Sequence, residues 1–188
     1  MTIETDSLSG QLLIAMPAMG DPNFARGVTL LCQHGENGAI GLMINRPSDF
    51  RLSEILAQMD IASEREDIDA IPVLIGGPVQ PDRGFVLHPG GGEWGSSFAI
   101  NEHWSITTSR DILEAVAVGQ GPEHALVMLG YAGWSPGQLE QELRENAWLT
   151  TEAVDAILFS TEVAERWHAA TALVGVQSHH LADYAGHA

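Results

Sequence analysis

Two β-rich runs, residues 28–33 and 39–45, flank His34, Gly35, Glu36, Asn37 and Gly38, and no other stretch restricts the possible folds as strongly. The Asn37–Gly38 pair supplies the positive φ that a tight turn needs, so the two runs are expected to form a β-hairpin. Gly41 inside the second run marks a bulge or a close backbone approach.

Other elements follow in order. Residues 12–15 read as a short strand, closed by a loop holding Pro17 and Pro22. Leu52, Ile55, Leu56 and Met59 stand at helical spacing. Residues 62–69 are charged and read as loop, 73–75 and 85–88 as strands, and 98–100 with 104–108 as a second hairpin. Thr108 or Ser109 can cap a helix running to Val118, which Gly119, Gly121 and Pro122 stop. The continuous apolar run 125–129 suits a buried strand. Ser135, Pro136 and Gln138 read as a capping box with proline at the first helical position, with Leu139 and Leu143 on the apolar face and Glu140 and Arg144 as an i,i+4 pair. Residues 156–159 read as a strand and 161–173 as a last helix. This irregular order favours an α+β fold with a mixed sheet over a doubly wound one. At 188 residues the chain suits one domain, burying roughly 70% of its unfolded surface.

The segment from Gly76 to His88 is the expected site. Between two apolar runs stand Gly76, Gly77, Pro78, Gln80, Pro81, Asp82, Arg83 and Gly84, a shaped loop dense in hydrogen-bonding heads. Two readings of Asp82 and Arg83 stand side by side. They bind a polar ligand bidentately, or Asp82 completes a turn while Arg83 pairs with a neighbouring acid. Asn45, Arg46 and His88 are expected to join the ligand-binding set Gly76, Gly77, Gln80, Asp82 and Arg83.

Charge excludes several chemistries. Twenty-five acidic residues face eight basic ones, a net charge of −17, and all eight are arginine. Without lysine there is no Schiff base, no lysine-dependent phosphate loop and no Ser-x-x-Lys arrangement. The arginines are scattered singly, so direct nucleic-acid binding, which depends on clustered cations, is not expected. No apolar run approaches the ~20 residues of a membrane helix, and the acidic N-terminus lacks the basic region of a secretory signal, which points to a cytoplasmic protein. Cys32, the one cysteine, lies in an apolar run and reads as a small buried hydrophobe.

Tempting motifs fail on context. Gly133-Trp-Ser135-Pro-Gly137 matches a nucleophile pentapeptide, but Pro136 has no N–H to give an oxyanion hole, and capping accounts for Ser135. Gly90, Gly92 and Gly95 have dinucleotide-loop spacing, yet a hairpin and not a helix follows, so a flexible loop is the better reading. The eight histidines show no metal-ligand spacing, and His179 and His180 are adjacent; no metal or other cofactor is expected. The five tryptophans read as packing residues.

Residues 38–47, 76–88, 130–134, Gly137 to Glu140, Asn146 to Trp148 and the terminal Gly186, His187 and Ala188 together resemble the AlgH/YqgE family of bacterial proteins over nearly the whole chain. The resemblance implies a single domain over residues 1–188, an α+β fold whose bifurcated sheet curls into a pseudo-barrel with flanking helices. It also implies a label of transcriptional regulator, without an established activity or agreed catalytic residues. With this charge and no helix-turn-helix pattern, regulation is expected to run through a small-molecule or protein partner. The alternative is a hydrolase or transferase with His88 or His34 as base and Asp82 orienting it.

Overall fold

A computed structural model describes residues 7–16, 25–90 and 93–175. The elements are β1 (Gln11–Ala15), β2 (Val28–Gly35), β3 (Gly38–Met43), α1 (Leu52–Gln58), β4 (Val73–Ile75), β5 (Val79–Pro89), β6 (Ser97–Ala99), β7 (Trp104–Thr107), α2 (Arg110–Ala117), β8 (Leu126–Trp134), α3 (Gln138–Arg144), β9 (Trp148–Glu152) and α4 (Arg166–Leu173). The loop of Pro17 and Pro22, Gly92, His179, His180 and the terminal Gly186 to Ala188 lie outside the described residues.

The expected hairpin is β2–β3, with Gly35 opposite Gly38 and Glu36 and Asn37 in the turn. Gly38 carries the positive φ, +113°, and a Cβ there would come within 2.2 Å of the Trp134 carbonyl oxygen. Both expectations for Gly41 hold. The register slips between Leu31 and Gln33, leaving Cys32 as the bulged residue, and a Gly41 Cβ would sit 2.7 Å from Thr29.

The sheet runs β6-β7-β5-β8-β3-β2-β1-β9 and forks at β8. On one side β8 pairs antiparallel with β5. On the other its first half pairs parallel with β4, through Val73↔Val127 to Ile75↔Leu129, and its second half pairs antiparallel with β3, through Ala39↔Trp134 to Gly41↔Ala132. The result is a mixed, bifurcated sheet curled into a half-barrel with flanking helices.

Alternation along the strands sends side chains to two faces. Leu12, Ile14, Leu30, Leu42, Leu87, Leu126 and Met128 point into the curl, where Trp167 and Ala170 of α4 close it. Val86 and Val127 point outward under Leu52 and Leu56 of α1 and Ile112 and Val116 of α2. Leu13, Leu31, Ala132 and Trp134 point outward under Leu139 of α3. A strand covered on both faces has no polar side to show, which is why 125–129 reads as unbroken apolar sequence.

Several expectations are corrected. The Gly76–Gly84 segment is mostly strand, because Val79 onward belongs to β5. The 130–134 stretch completes β8, and 148–152 forms the edge strand β9. Residues 156–159 are not a strand but part of one π-helical turn, Ala156–Ser160, closed by the Thr161 N–H donating to the Ala156 carbonyl at 2.7 Å. A 3₁₀ turn, Ile68–Ala70, ends the charged loop, and another, Val163–Glu165, precedes α4. α3 starts at Gln138 and not at Pro136, with Gly137 at its N-cap at φ +80°. No helix among the described residues is long and apolar enough to cross a membrane.

Candidate functional site

The expected site residues fall into separate groups: Asn45 and Arg46 run beside Gly76, where the Met43 N–H donates to the Gly76 carbonyl and the Ile75 N–H to the Arg46 carbonyl, both at 2.7 Å, while Asp82 and His88 line different cavities. Asn45 spends its amide on the entry to β2: Oδ1 accepts from the Val28 N–H and Nδ2 donates to the Arg26 carbonyl, both at 2.9 Å. Arg46 donates from Nη2 to the Ala25 carbonyl at 2.6 Å. Gly76 and Gly77 lie at the fork, where added Cβ atoms would stand 2.4 Å from the Gly130 oxygen and 2.1 Å from the Tyr131 carbonyl carbon. Their role is close passage of one backbone over another.

The next residues form a bulge. Val79 pairs with Tyr131 and Gly84 with Leu129, so five steps along β5 match two along β8 and the excess is thrown outward. Gln80 absorbs the turn at φ +47° and is exposed, as are Asp82 and Arg83. Arg83 stacks its guanidinium 5.3 Å from the Phe85 ring centre instead of pairing with an acid. Asp82 has no hydrogen-bond or ion-pair partner among the described residues.

Beneath this bulge lies a cavity of about 510 Å³. Pro81, Asp82, Gly84 and Phe85 form one wall, Phe50, Ile55 and Met59 the second, and Thr108, Arg110 and Leu113 the third. Arg110 joins two walls by donating to the carbonyls of Met59 and Asp60, so α2 is pinned to the end of α1. The lining is mostly apolar, with Asp82 and Arg110 as its charged groups. Of the expected ligand-binding set only Asp82 lines this cavity, with Pro81, Gly84 and Phe85 of the same expected segment; Arg110 and Leu113 follow from the amphipathic spacing of α2 once its partner helix is known.

His88 is fully buried. Its Nδ1 lies 3.0 Å from the Pro89 carbonyl, which can only accept, so Nδ1 carries the proton. Its Nε2 then accepts from the Thr107 hydroxyl at 2.7 Å, and Thr107 accepts from the Ser97 hydroxyl at 2.6 Å. Burial holds the His88 pKa below the usual imidazole value. Asp111 clamps the neighbouring loop by accepting from the Gly95 N–H at 2.7 Å and the Ser109 hydroxyl at 2.5 Å, bonds that hold its carboxyl below the usual range.

His34 lines a different, wider cleft together with Cys32. Its Nδ1 accepts from the Leu8 N–H at 3.0 Å, so Nε2 donates to Glu140 at 2.5 Å. The Glu140 carboxyl is lowered chiefly by this bond, and it pairs with His34 instead of the expected Arg144. Burial pushes the Cys32 thiol far up, as suits a packing residue. Asp82, His88 and His34 therefore line three separate cavities and share no hydrogen bond, and the His/Asp arrangement of the enzyme alternative is not assembled. Ser135 donates to the Gln138 side chain at 3.2 Å, and the Gln138 carbonyl oxygen also accepts the Ser135 N–H at 3.0 Å, which is half of the expected capping box.

The sequence pattern of the AlgH-like family matches residues 12–179. The chain belongs to the AlgH-like family. A UPF0301 protein of Xanthomonas euvesicatoria pv. vesicatoria is 51% identical over 188 residues, the full length of both chains, and one of Xanthomonas oryzae pv. oryzae is 50% identical over the same span. The solution structure of the AlgH protein from Pseudomonas aeruginosa superposes with a TM-score of 0.80 at 49% identity, covering 94% of each chain. A crystal structure from Corynebacterium diphtheriae shares the fold at a TM-score of 0.69 and 19% identity, covering 90% of this chain and 87% of that one.

Proposed function

We propose that this AlgH-like protein is a cytoplasmic regulatory binding protein, whose effect on transcription runs through a small-molecule or protein partner and not through DNA contacts. The ligand site is the cavity beneath the β5 bulge. What supports this reading is the Asp82 carboxylate, without a partner among the described residues, over a mostly apolar chamber whose other charged group, Arg110, is engaged by the Met59 and Asp60 carbonyls, while Asn45 and Arg46 are spent on holding the backbone. Such a chamber suits a ligand with an apolar body and a cationic or hydrogen-bond-donating head. Titration with phenethylamine, followed by NMR, is expected to shift the signals of Phe85, Leu113 and Asp82. 3-Phenylpropionate, of similar shape and opposite charge, is expected to do so far less. Asp82→Asn is expected to weaken the amine about tenfold, the worth of one charge-assisted hydrogen bond. Equal responses to the two compounds would sink the reading.

One observation favours a hydrolase or transferase instead: the hydroxyl relay from Ser97 through Thr107 to His88 gives an exposed serine a path to a buried base. The nearby N–H groups of Gly95 and Ser96 are already spent on Asp111 and Ser109, so they are not free to stabilise an oxyanion. A fluorophosphonate probe is expected to leave Ser97 unlabelled; stoichiometric labelling abolished by His88→Gln would establish the enzymatic reading.

A further inference from the structure

We infer that the open end of the β2–β3 hairpin is an oxyanion-binding site, built on Arg166 with Arg26 and Arg46 beside it, that takes a phosphate- or carboxylate-bearing small molecule. This site is separate from the cavity under β5. Arg166 is only 2% exposed, and a guanidinium so placed is ordinarily matched by a carboxylate. Here it is not. Its Nε donates to the Thr161 carbonyl at 3.2 Å and its Nη1 to the Ile44 carbonyl, and the Nη2 edge has no acceptor among the described residues. The acids nearest in sequence, Glu162 and Glu165, are exposed and form no ion pair with it. Burial, with no compensating charge, pulls the Arg166 pKa down to about 10.

Two more unpaired cations share the same hydrogen-bonded patch. Arg46 follows Ile44 by two residues and donates to the Ala25 carbonyl, while Asn45 between them ties the Arg26 carbonyl to the Val28 N–H. Arg26 places its guanidinium 4.9 Å from the ring centre of Trp167, the residue after Arg166. Neither Arg26 nor Arg46 pairs with an acid among the described residues, whereas Arg51, Arg65 and Arg110 each do. Arg83 and Arg144 also lack an acid, but each is exposed and stands apart, whereas Arg166, Arg26 and Arg46 hold one stretch of backbone with no carboxylate partner among the described residues. An oxyanion at the patch would supply the missing charge, and planar guanidinium forks match phosphate and carboxylate oxygens geometrically.

The test uses the full chain and two probes, inorganic phosphate and succinate, each compared with sodium chloride at matched ionic strength. At least one probe is expected to raise the melting temperature saturably, by several degrees, beyond the chloride control. It is also expected to shift the NMR signals of the Arg166 Nε–H and the Trp167 indole. The double variant Arg26→Ala with Arg46→Ala alters rim residues and keeps the core, and it is expected to weaken binding at least tenfold. Arg166→Lys, which keeps the charge and loses the fork, is expected to weaken it as well. A response no greater than chloride's overturns the inference by making Arg166 a carbonyl clamp only. A saturable response that the double variant leaves unchanged overturns it too, because the anion then binds elsewhere.

Discussion

His88 shows how much a single buried residue can determine. The Pro89 carbonyl fixes the proton on Nδ1, leaving Nε2 as an acceptor for Thr107. A second proton would turn that acceptor into a donor aimed at a hydroxyl already arranged to donate, inside a fully buried site. The folded state therefore binds this proton less readily than the unfolded chain, whose imidazole titrates near 6.5. Stability is present above that value and is lost as the pH falls below it, by at most about 1.4 kcal/mol per pH unit for one proton. Urea denaturation between pH 7 and pH 5 is expected to show this slope, and His88→Gln, which does not titrate, is expected to reduce it. Asp111 and Glu140, whose carboxyl pKa values are lowered by hydrogen bonds, lose their contributions only at more acidic pH and act alike in both proteins. The motif around His88 was readable as part of a site, but its hydroxyl partners were not. Thr107 and Ser97 reach it only because β6, β7 and β5 lie side by side, a neighbourhood that 19 residues of sequence separation conceal.

At the scale of elements, legibility tracks the job each glycine does. Gly38 serves a turn, and the β2–β3 hairpin was readable from it. Gly76, Gly77 and Gly130 look like the same punctuation, yet they lie where β4, β5 and β8 cross at the fork, and reading them as loop residues hid the second half of β8 and the first half of β5. β9 escaped for a different reason. An edge strand with Thr150, Thr151 and Glu152 has little apolar alternation to show, and beyond Trp148 and Leu149, which pack on the two faces of the sheet, its pairing with β1 rests on ladder bonds. The 156–160 turn carries strand-forming side chains, but it buries Ile157 and Leu158 into the inner cluster from one end, where packing overrides propensity. The fork makes its own prediction. Gly77→Ala places a methyl 2.1 Å from the Tyr131 carbonyl carbon, against backbone that cannot retreat without unpairing β5 from β8. A loss of about 3 kcal/mol or more is expected from chemical denaturation, at the upper end of overpacking effects. Gly84→Ala, whose Cβ meets nothing within 4 Å, is the control and is expected to be far milder.

The whole molecule is a forked sheet with an apolar layer on each face, which leaves its charge to the surface, the buried Arg166 excepted. A net charge of −17 repels nucleic acid at long range, and attraction at short range would need a strip of cations. No such strip exists among the described residues. Arg51, Arg65 and Arg110 are neutralised by Glu54, Asp67 and Glu114, Arg83 rests on Phe85, Arg144 donates to Gln141 along α3, and Arg166 keeps only a small edge at the surface. Arg26 and Arg46, with the edge of Arg166, make one small patch, too few cations to release the counterions that non-specific affinity requires. Gel-shift titration with duplex DNA at ~100 mM salt is accordingly expected to show no saturable complex, and lowering the salt to ~20 mM is expected not to create one, since weaker screening strengthens repulsion and attraction alike. A tight, sequence-selective complex formed by the isolated protein would contradict this argument at its root, because the cations responsible would have to be ones that the folded surface does not display.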